Sequence, residues 1–271
     1  MEFESQGDFE KSVIDEFNKI SHPKQLYIGL DTNALYNRSI SSIFPIADHN
    51  NSIEANNCNF IISSIVSKEL DLRIKDKYNE NDIRILRKIV NNPSHLIKFN
   101  NQRKLTSRRA GLALVEENTL ISKFGAQKIK KTGFSDDKEK NDILIAESYE
   151  EFQDKNSAKV SVLTFDQEMG NHATNHELTP IVLRQKTDLE SVNNDFYYER
   201  IANLIHSIAC VFGVIQLTPA GVTIYGVWGG KDRGSDNYNE NLLLKLENDS
   251  LATKLKQDLM AQHKIESIGL V

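Results

Sequence analysis

Short apolar runs alternate with amphipathic segments over the first two thirds of the chain. The runs with strand character are residues 26–30, 59–66, 159–163 and 179–183. Apolar residues recur at helical spacing in the segments 81–90, 135–152 and 167–175, and a further helix is predicted to begin at Ser67. Alternating strands and helices predict a parallel β-sheet with helices on both faces.

The pattern changes after residue 185. Residues 192–212 have a long helical apolar face, strand-like runs follow at 214–217, 222–228 and 242–246, and a last helix is predicted over 250–263. We therefore predict two domains. Residues 1–185 form the α/β domain, which begins with an amphipathic helix over 8–20, and residues 186–271 form an appended α+β module of domain size.

Composition narrows the class of protein. Charged residues make up 26% and hydrophobic residues 39% of the 271 positions, as in ordinary globular proteins. No apolar run approaches the roughly 20 residues that a membrane span needs, and the acidic N-terminus does not have the pattern of a signal peptide. The two cysteines are too few for a disulfide framework, which favours a reducing cytoplasm.

Charge is unevenly distributed along the chain. The net charge is -5, which argues against a protein that coats nucleic acid non-specifically but is compatible with a local basic groove. Residues 98–131 form such a basic segment, predicted to be a helical insertion. Its candidate nucleic-acid-binding residues are Arg103, Lys104, Arg108, Arg109, Lys128, Lys130 and Lys131. A solvated helix face is the simpler alternative for this segment.

Four acidic residues occupy comparable positions in the predicted elements: Asp31, Glu69, Asp142 and Asp166. Two of them follow strands and two lie on helices near a helix start. Taken singly, each acid is explained as a helix cap or as a complement to the helix dipole. Taken together they are predicted to converge at one edge of the sheet, where their repulsion is relieved by a divalent cation. Mg²⁺ or Mn²⁺ prefers such oxygen ligands and activates bound water.

The four acids lie in motifs that resemble those of the PIN-domain nucleases. The motifs are LDTNAL around Asp31, SSIVSKEL with Ser63 and Glu69, NDILIAES after Asp142, and LTFDQEM with Thr164, Asp166 and Glu168. Their order agrees with that family over residues 26–183. Glu168 departs from the pattern, since the family often has a second aspartate there, and the loop between the second and third motifs is long and basic.

This resemblance implies a three-layer α/β/α sandwich and an endoribonuclease that hydrolyses single-stranded RNA. It further implies that Asp31, Glu69, Asp142 and Asp166 hold Mg²⁺ or Mn²⁺ as the catalytic site. Asn33, Ser63, Thr164 and Glu168 would then orient the carboxylates or the water, and Asp136 or Asp137 could be an extra ligand. Ser135 or Asp136 is the expected cap of the helix that carries Asp142.

Two other functions stay open. A structure-specific DNA nuclease of the flap-endonuclease type shares the fold and the metal chemistry, and the long basic segment is compatible with it. A non-catalytic module for nucleic-acid binding or assembly is the second. A homo-oligomer, and a protein inhibitor or partner bound through the C-terminal module, are further possible assemblies.

Overall fold

The computed structural model describes residues 25–43, 59–89, 102–184, 198–226 and 242–267. The predicted helix over 8–20 lies outside these residues. The described chain divides into two compact units. The first contains residues 25–43, 59–76 and 106–184, and the second contains 77–89, 102–105, 198–226 and 242–267. This division differs from the predicted boundary at residue 185, because residues 77–89 and 102–105 group with residues 198–226 and 242–267.

A five-stranded parallel sheet forms the centre of the first unit. Its strands are β1 (Leu26–Leu30), β2 (Asn59–Ser63), β3 (Gln127–Ile129), β4 (Lys159–Thr164) and β5 (Thr179–Val182). The spatial order is β3-β2-β1-β4-β5, with Leu30 opposite Ile62 of β2 and opposite Leu163 of β4. Strand β3 was not predicted, since its three residues are mostly exposed and lie within the segment predicted to be a helical insertion.

Helices accompany this sheet, and the predicted three-layer α/β/α fold is confirmed. The helices of this part of the chain are α1 (Thr32–Tyr36), α2 (Ser39–Ile43), α3 (Ser64–Arg73), α5 (Leu105–Phe124), α6 (Lys138–Asn156) and α7 (Gln167–Asn175), while α4 (Glu80–Ile89) belongs to the second unit. The predicted bounds of α7 are confirmed to the residue.

Two predicted helix starts were wrong. Helix α3 begins at Ser64, three residues before the predicted start at Ser67, because the Ser63 hydroxyl caps it by accepting a hydrogen bond from the Ile65 amide at 3.3 Å. Helix α6 is capped by Asp137, whose Oδ1 accepts from the Glu139 amide at 3.1 Å. Neither Ser135 nor Asp136 caps α6.

The central strand and helix α6 are joined by close packing at Gly29. A Cβ atom at this position would lie 2.8 Å from Cε2 of Tyr149, so only glycine allows the ring to approach the strand. The Tyr149 hydroxyl donates to the Leu30 carbonyl at 2.5 Å and accepts from the Ser63 amide at 3.2 Å. Burial raises the pKa of Tyr149, so the hydroxyl keeps its proton and holds the ends of β1 and β2 under α6.

The second unit contains a small antiparallel sheet. Its elements besides α4 are α8 (Tyr198–Phe212), β6 (Val214–Leu217), a 3₁₀ turn (Thr218–Ala220), β7 (Val222–Gly226), β8 (Leu242–Leu246) and α9 (Asp249–Ser267), with strand order β6-β7-β8. A Cβ on Gly226 would lie 2.5 Å from the Ala209 carbonyl oxygen, so glycine is required where α8 meets β7. Among the described residues, no helix is long and apolar enough to cross a membrane.

Candidate active site

The sheet changes direction of winding between β1 and β4. From β1 the chain passes to β2 and β3 on one side, and it then returns to β4 on the other side of β1. Crevices form at the carboxyl ends of strands at such a switch point, and ligands of open α/β sheets bind there. Asp31 directly follows β1, and Asp166 follows β4 by two residues. The topology therefore brings these two predicted acids together.

Asp31 is buried and held on both carboxylate oxygens. Its side chain is the N-cap of α1, and Oδ1 accepts from the Ala34 amide at 2.6 Å. Oδ2 accepts from the Thr164 hydroxyl at 2.6 Å. Burial raises the pKa of Asp31 to about 7; the two hydrogen bonds lower it, and the neighbouring Asp142 and Asp166 raise it further. An acid with this pKa exchanges its proton near neutral pH.

Asp142 and Glu69 approach the same place from two helices. Burial raises the pKa of Asp142 to about 6; Lys138 opposes this shift, and the charges of Glu69 and Asp166 add to it. Glu69, on α3, accepts from the Thr32 hydroxyl and from the Asn141 amide, the latter at 3.1 Å. The mutual influence of the acids on their pKa values shows that they lie within electrostatic reach of one another.

Lys138 provides positive charge between two of the acids. Its Nζ lies 2.9 Å from Asp166 Oδ2 and 3.8 Å from Asp142 Oδ2. The hydrogen bond from Lys138 is the main reason that the pKa of Asp166 is lowered. Asp166 also caps α7 through the Glu168 amide at 3.0 Å. Two carboxylates thus share one ammonium group in this part of the site.

These side chains surround a cleft of about 280 Å³, which we call the acidic cleft. Its charged lining residues are Asp31, Glu69, Arg73, Asp76, Asp136, Lys138 and Asp142. Acids outnumber bases in this lining, and Asp166 adjoins it through Lys138. A cleft with this excess of carboxylate oxygens favours a cation over an anion.

The donor chemistry of the acidic cleft fits a hard divalent cation. Carboxylates that raise one another's pKa are stabilised when positive charge is placed among them, and Lys138 already supplies one such charge. In the described part of the chain, however, no three His, Cys, Asp or Glu side chains stand in an arrangement that would hold a metal ion. Binding would therefore need Asp142 and Asp166 to turn away from Lys138.

The residues predicted to orient the acids have different roles. Thr164 is well placed, because its hydroxyl donates to Asp31 and accepts from the Asp166 amide at 2.9 Å. Ser63 instead caps α3. Asn33 lines the acidic cleft, while the exposed Glu168 contributes its backbone amide to the Asp166 cap.

The two aspartates predicted as possible extra ligands have different roles in the structure. Asp136 lines the acidic cleft. The side chain of Asp137 is occupied as the cap of α6, and its Oδ2 lies 3.9 Å from Lys140 Nζ. Asp136 is therefore the one available for the cleft.

The predicted nucleic-acid-binding residues are mostly engaged within the fold. Arg103 and Arg108 are each only 3% exposed. The lysines pair with acids: Lys104 with Asp82 at 3.1 Å, Lys128 with Glu117 at 2.7 Å, and Lys131 with Glu147 and Glu151 at 2.9 and 2.6 Å. Lys130 and Arg109 are exposed, and neither forms an ion pair with a described residue. The segment is thus largely structural.

Several residues of the acidic cleft were not predicted. Lys138 precedes Asp142 by four positions, and this helical spacing was the available signal in the sequence. Asn141 links the cleft to the approach to α6, since its amide donates to Glu69 and to the Ser135 carbonyl at 2.8 Å. Arg73 lies at the end of α3, where no motif marks it.

Comparison with known proteins leaves the family open. No protein family model matches the sequence, and no curated protein matches it. Among solved structures, the fold resembles a domain of a functionally unknown protein from Methanocaldococcus jannaschii DSM 2661. That likeness covers 62% of this chain and 99% of the other, with 12% identity and a TM-score of 0.40. It gives no information on function.

Proposed function

We propose that this protein is a Mg²⁺- or Mn²⁺-dependent phosphodiesterase that cleaves single-stranded RNA. The observation that supports the proposal is the acidic cleft at the switch point of the sheet, where Asp31 and Asp142 have pKa values raised to about 7 and about 6. Acidic residues that lie in a cleft and have a strongly shifted pKa belong to functional sites more often than acidic residues elsewhere on a protein surface. The choice of RNA rests on the motifs that resemble those of the PIN-domain nucleases.

In this proposal Asp31, Glu69, Asp142 and Asp166 hold the cation. When bound, a divalent cation would lower the pKa of a water, so that hydroxide is available near neutral pH to attack phosphorus, and would neutralise charge on the phosphate. Thr164 fixes the direction of the Asp31 carboxylate, because it is hydrogen-bonded to Oδ2. A carboxylate that is already oriented loses less entropy when it binds.

The basic side chains of the lining have a separate role. Arg73 and Lys138 line the acidic cleft. Without them, the carboxylates would repel an approaching phosphodiester. Their side chains offset this repulsion and donate hydrogen bonds to phosphate oxygens. Lys138 would be free to do so if a cation took over its contacts with Asp142 and Asp166.

The test is cleavage of an end-labelled single-stranded RNA with Mn²⁺, with EDTA and with the variant Asp142→Asn. We expect cutting in Mn²⁺, none in EDTA, and a loss of at least about 100-fold in the variant, since a lost ligand removes several kcal/mol of transition-state stabilisation. The matched control is Asp154→Asn. This exposed residue lies on the same helix, about 18 Å further along its axis. Equal cleavage by both variants would contradict the proposal.

The ion pairs of Lys138 favour a second candidate, a non-catalytic binding or assembly module. With Lys138 between Asp142 and Asp166, part of the cleft is neutralised without a metal. A calorimetric Mn²⁺ titration separates the two: no binding, together with no cleavage, selects the module. Running the assay in parallel on single-stranded DNA and on a DNA flap tests the DNA-nuclease alternative.

A further inference from the structure

A second cleft adjoins the acidic cleft and has the opposite charge. It encloses about 530 Å³ in the first unit. We call it the arginine cleft, and the lining residues that matter here are Asn33, Asn37, Arg109, Phe165, Gln167 and Arg184. Its lining includes no Asp or Glu among the described residues. Asn33 lines both clefts, so they meet at this residue.

The positive charge of the arginine cleft has no carboxylate partner among the described residues. Arg109 and Arg184 are exposed, and neither forms an ion pair with a carboxylate of the described residues. The Arg109 guanidinium lies 5.1 Å from the centre of the Tyr36 ring, and Tyr36 lines the acidic cleft. Stacking on an aromatic ring restricts a guanidinium while its donors stay available. These two arginines are therefore suited to an anion.

The rest of the lining indicates what else the ligand carries. Asn33 and Gln167 have side-chain amides that both donate and accept hydrogen bonds, while the Asn37 side-chain amide already donates to the Asn33 carbonyl at 2.9 Å. Phe165, with Val182 and Leu183, provides apolar surface. A cleft of this volume holds a small organic molecule. A phosphate ester that bears a polar heterocycle combines all three requirements: an anion, hydrogen-bonding edges and an apolar face.

We propose that the arginine cleft is a nucleotide subsite, which binds the phosphate and base of the nucleotide next to the phosphodiester in the acidic cleft. This inference rests on the proposed function, since it names the part of the substrate that extends beyond the cleaved bond. In this proposal the arginine cleft, rather than the basic segment 98–131, is the main binding surface. Of the residues predicted in that segment, only Arg109 belongs to the subsite.

Binding without metal tests the subsite. Fluorescence anisotropy with a labelled pentauridylate RNA in EDTA measures affinity for wild type and for Arg184→Gln. We expect the variant to bind roughly tenfold more weakly, as for the loss of one charge-assisted phosphate contact. The slope of log affinity against log salt concentration should become shallower by about the amount that one phosphate contact contributes. Arg109→Gln should behave in the same way.

The matched control is Lys123→Gln. Lys123 is exposed and lies on the same helix as Arg109, about 21 Å further along its axis. Each variant removes one charge. Weakening by Arg184→Gln but not by Lys123→Gln supports the subsite. Equal weakening by both variants, or none by Arg184→Gln, overturns it.

The outcome is separable from that of the proposed function, because no cleavage or metal is involved. If the protein binds RNA through Arg184 but does not cleave it, the subsite is supported and the proposed nuclease activity is overturned. If the Arg184→Gln variant cleaves RNA with the wild-type KM and affinity, the nuclease activity is supported and the subsite is overturned.

Discussion

Replacing Asp31 by asparagine should stabilise the protein at neutral pH. The carboxylate is buried, and its pKa is raised from 3.8 to about 7. Its ionisation in the folded state is therefore costly. Asparagine has the same shape, and its oxygen still accepts from the Ala34 amide while its NH₂ group faces the Thr164 hydroxyl. The variant keeps the cap of α1 and removes the charge.

The magnitude follows from the two pKa values. Between pH 3.8 and about 7 the unfolded chain loses the Asp31 proton while the folded protein retains it, so stability falls as pH rises through this window. A shift of about 3 units corresponds to about 4 kcal/mol at about 1.36 kcal/mol per unit. About 2.5 kcal/mol of this loss falls between about pH 5 and pH 8 by the same linkage relation.

Urea unfolding in EDTA measures this directly. Wild type and Asp31→Asn are compared at about pH 5, 7 and 8, with the exposed Asp154→Asn as the control that removes a charge from the surface. The stability gain of Asp31→Asn over wild type should grow with pH by the amount given above, while the control difference stays flat. A gain that does not change with pH would refute the assigned burial of the Asp31 charge.

Two further substitutions test particular contacts. Lys138→Met removes the ammonium group that is paired with Asp142 and Asp166. Mn²⁺ should then bind roughly two- to thirtyfold more tightly by calorimetry, since each ion pair of the exposed Lys138 contributes only about 0.2–1 kcal/mol. Unchanged or weaker Mn²⁺ binding would show that Lys138 does not compete with the metal for these carboxylates. Gly29→Ala forces a Cβ against the Tyr149 ring and should cost about 1–3 kcal/mol in urea unfolding. The same change in a Tyr149→Leu background should cost less, and strictly additive losses would show that the ring is not the obstacle.

The strands and the positions of the acids could be predicted from local pattern. β1 and β4 are buried apolar runs bounded by polar residues, while β5 is a short, partly buried strand. A parallel sheet aligns the carboxyl ends of its strands. The motif around Asp31 therefore gave both the strand and the acid at its end. The convergence of Glu69 and Asp142 with it follows from the same alternation, since helix starts gather at that edge.

The helix caps and the ion-pair partners could not be predicted, because they depend on tertiary contacts. Ser63 ends β2 and also caps α3, so the apolar residues Ile65 and Val66, which were predicted to extend the strand, are buried on a helix instead. The lysines after α5 looked available from sequence alone. Lys131 is neutralised by Glu147 and Glu151, which come from α6 and have no local pattern that marks them as partners.

The hydrogen bond between Thr164 and Asp31 joins residues 133 positions apart. During synthesis a chain that ends before β4 already contains Asp31, Glu69 and Asp142, but its β1 has an open edge and no hydroxyl orients the Asp31 carboxylate. Domains fold as units once their elements have been made. The acid cluster is therefore completed only after residue 166 has been added, so a nascent chain still attached to its messenger RNA lacks the finished site until most of the sheet exists.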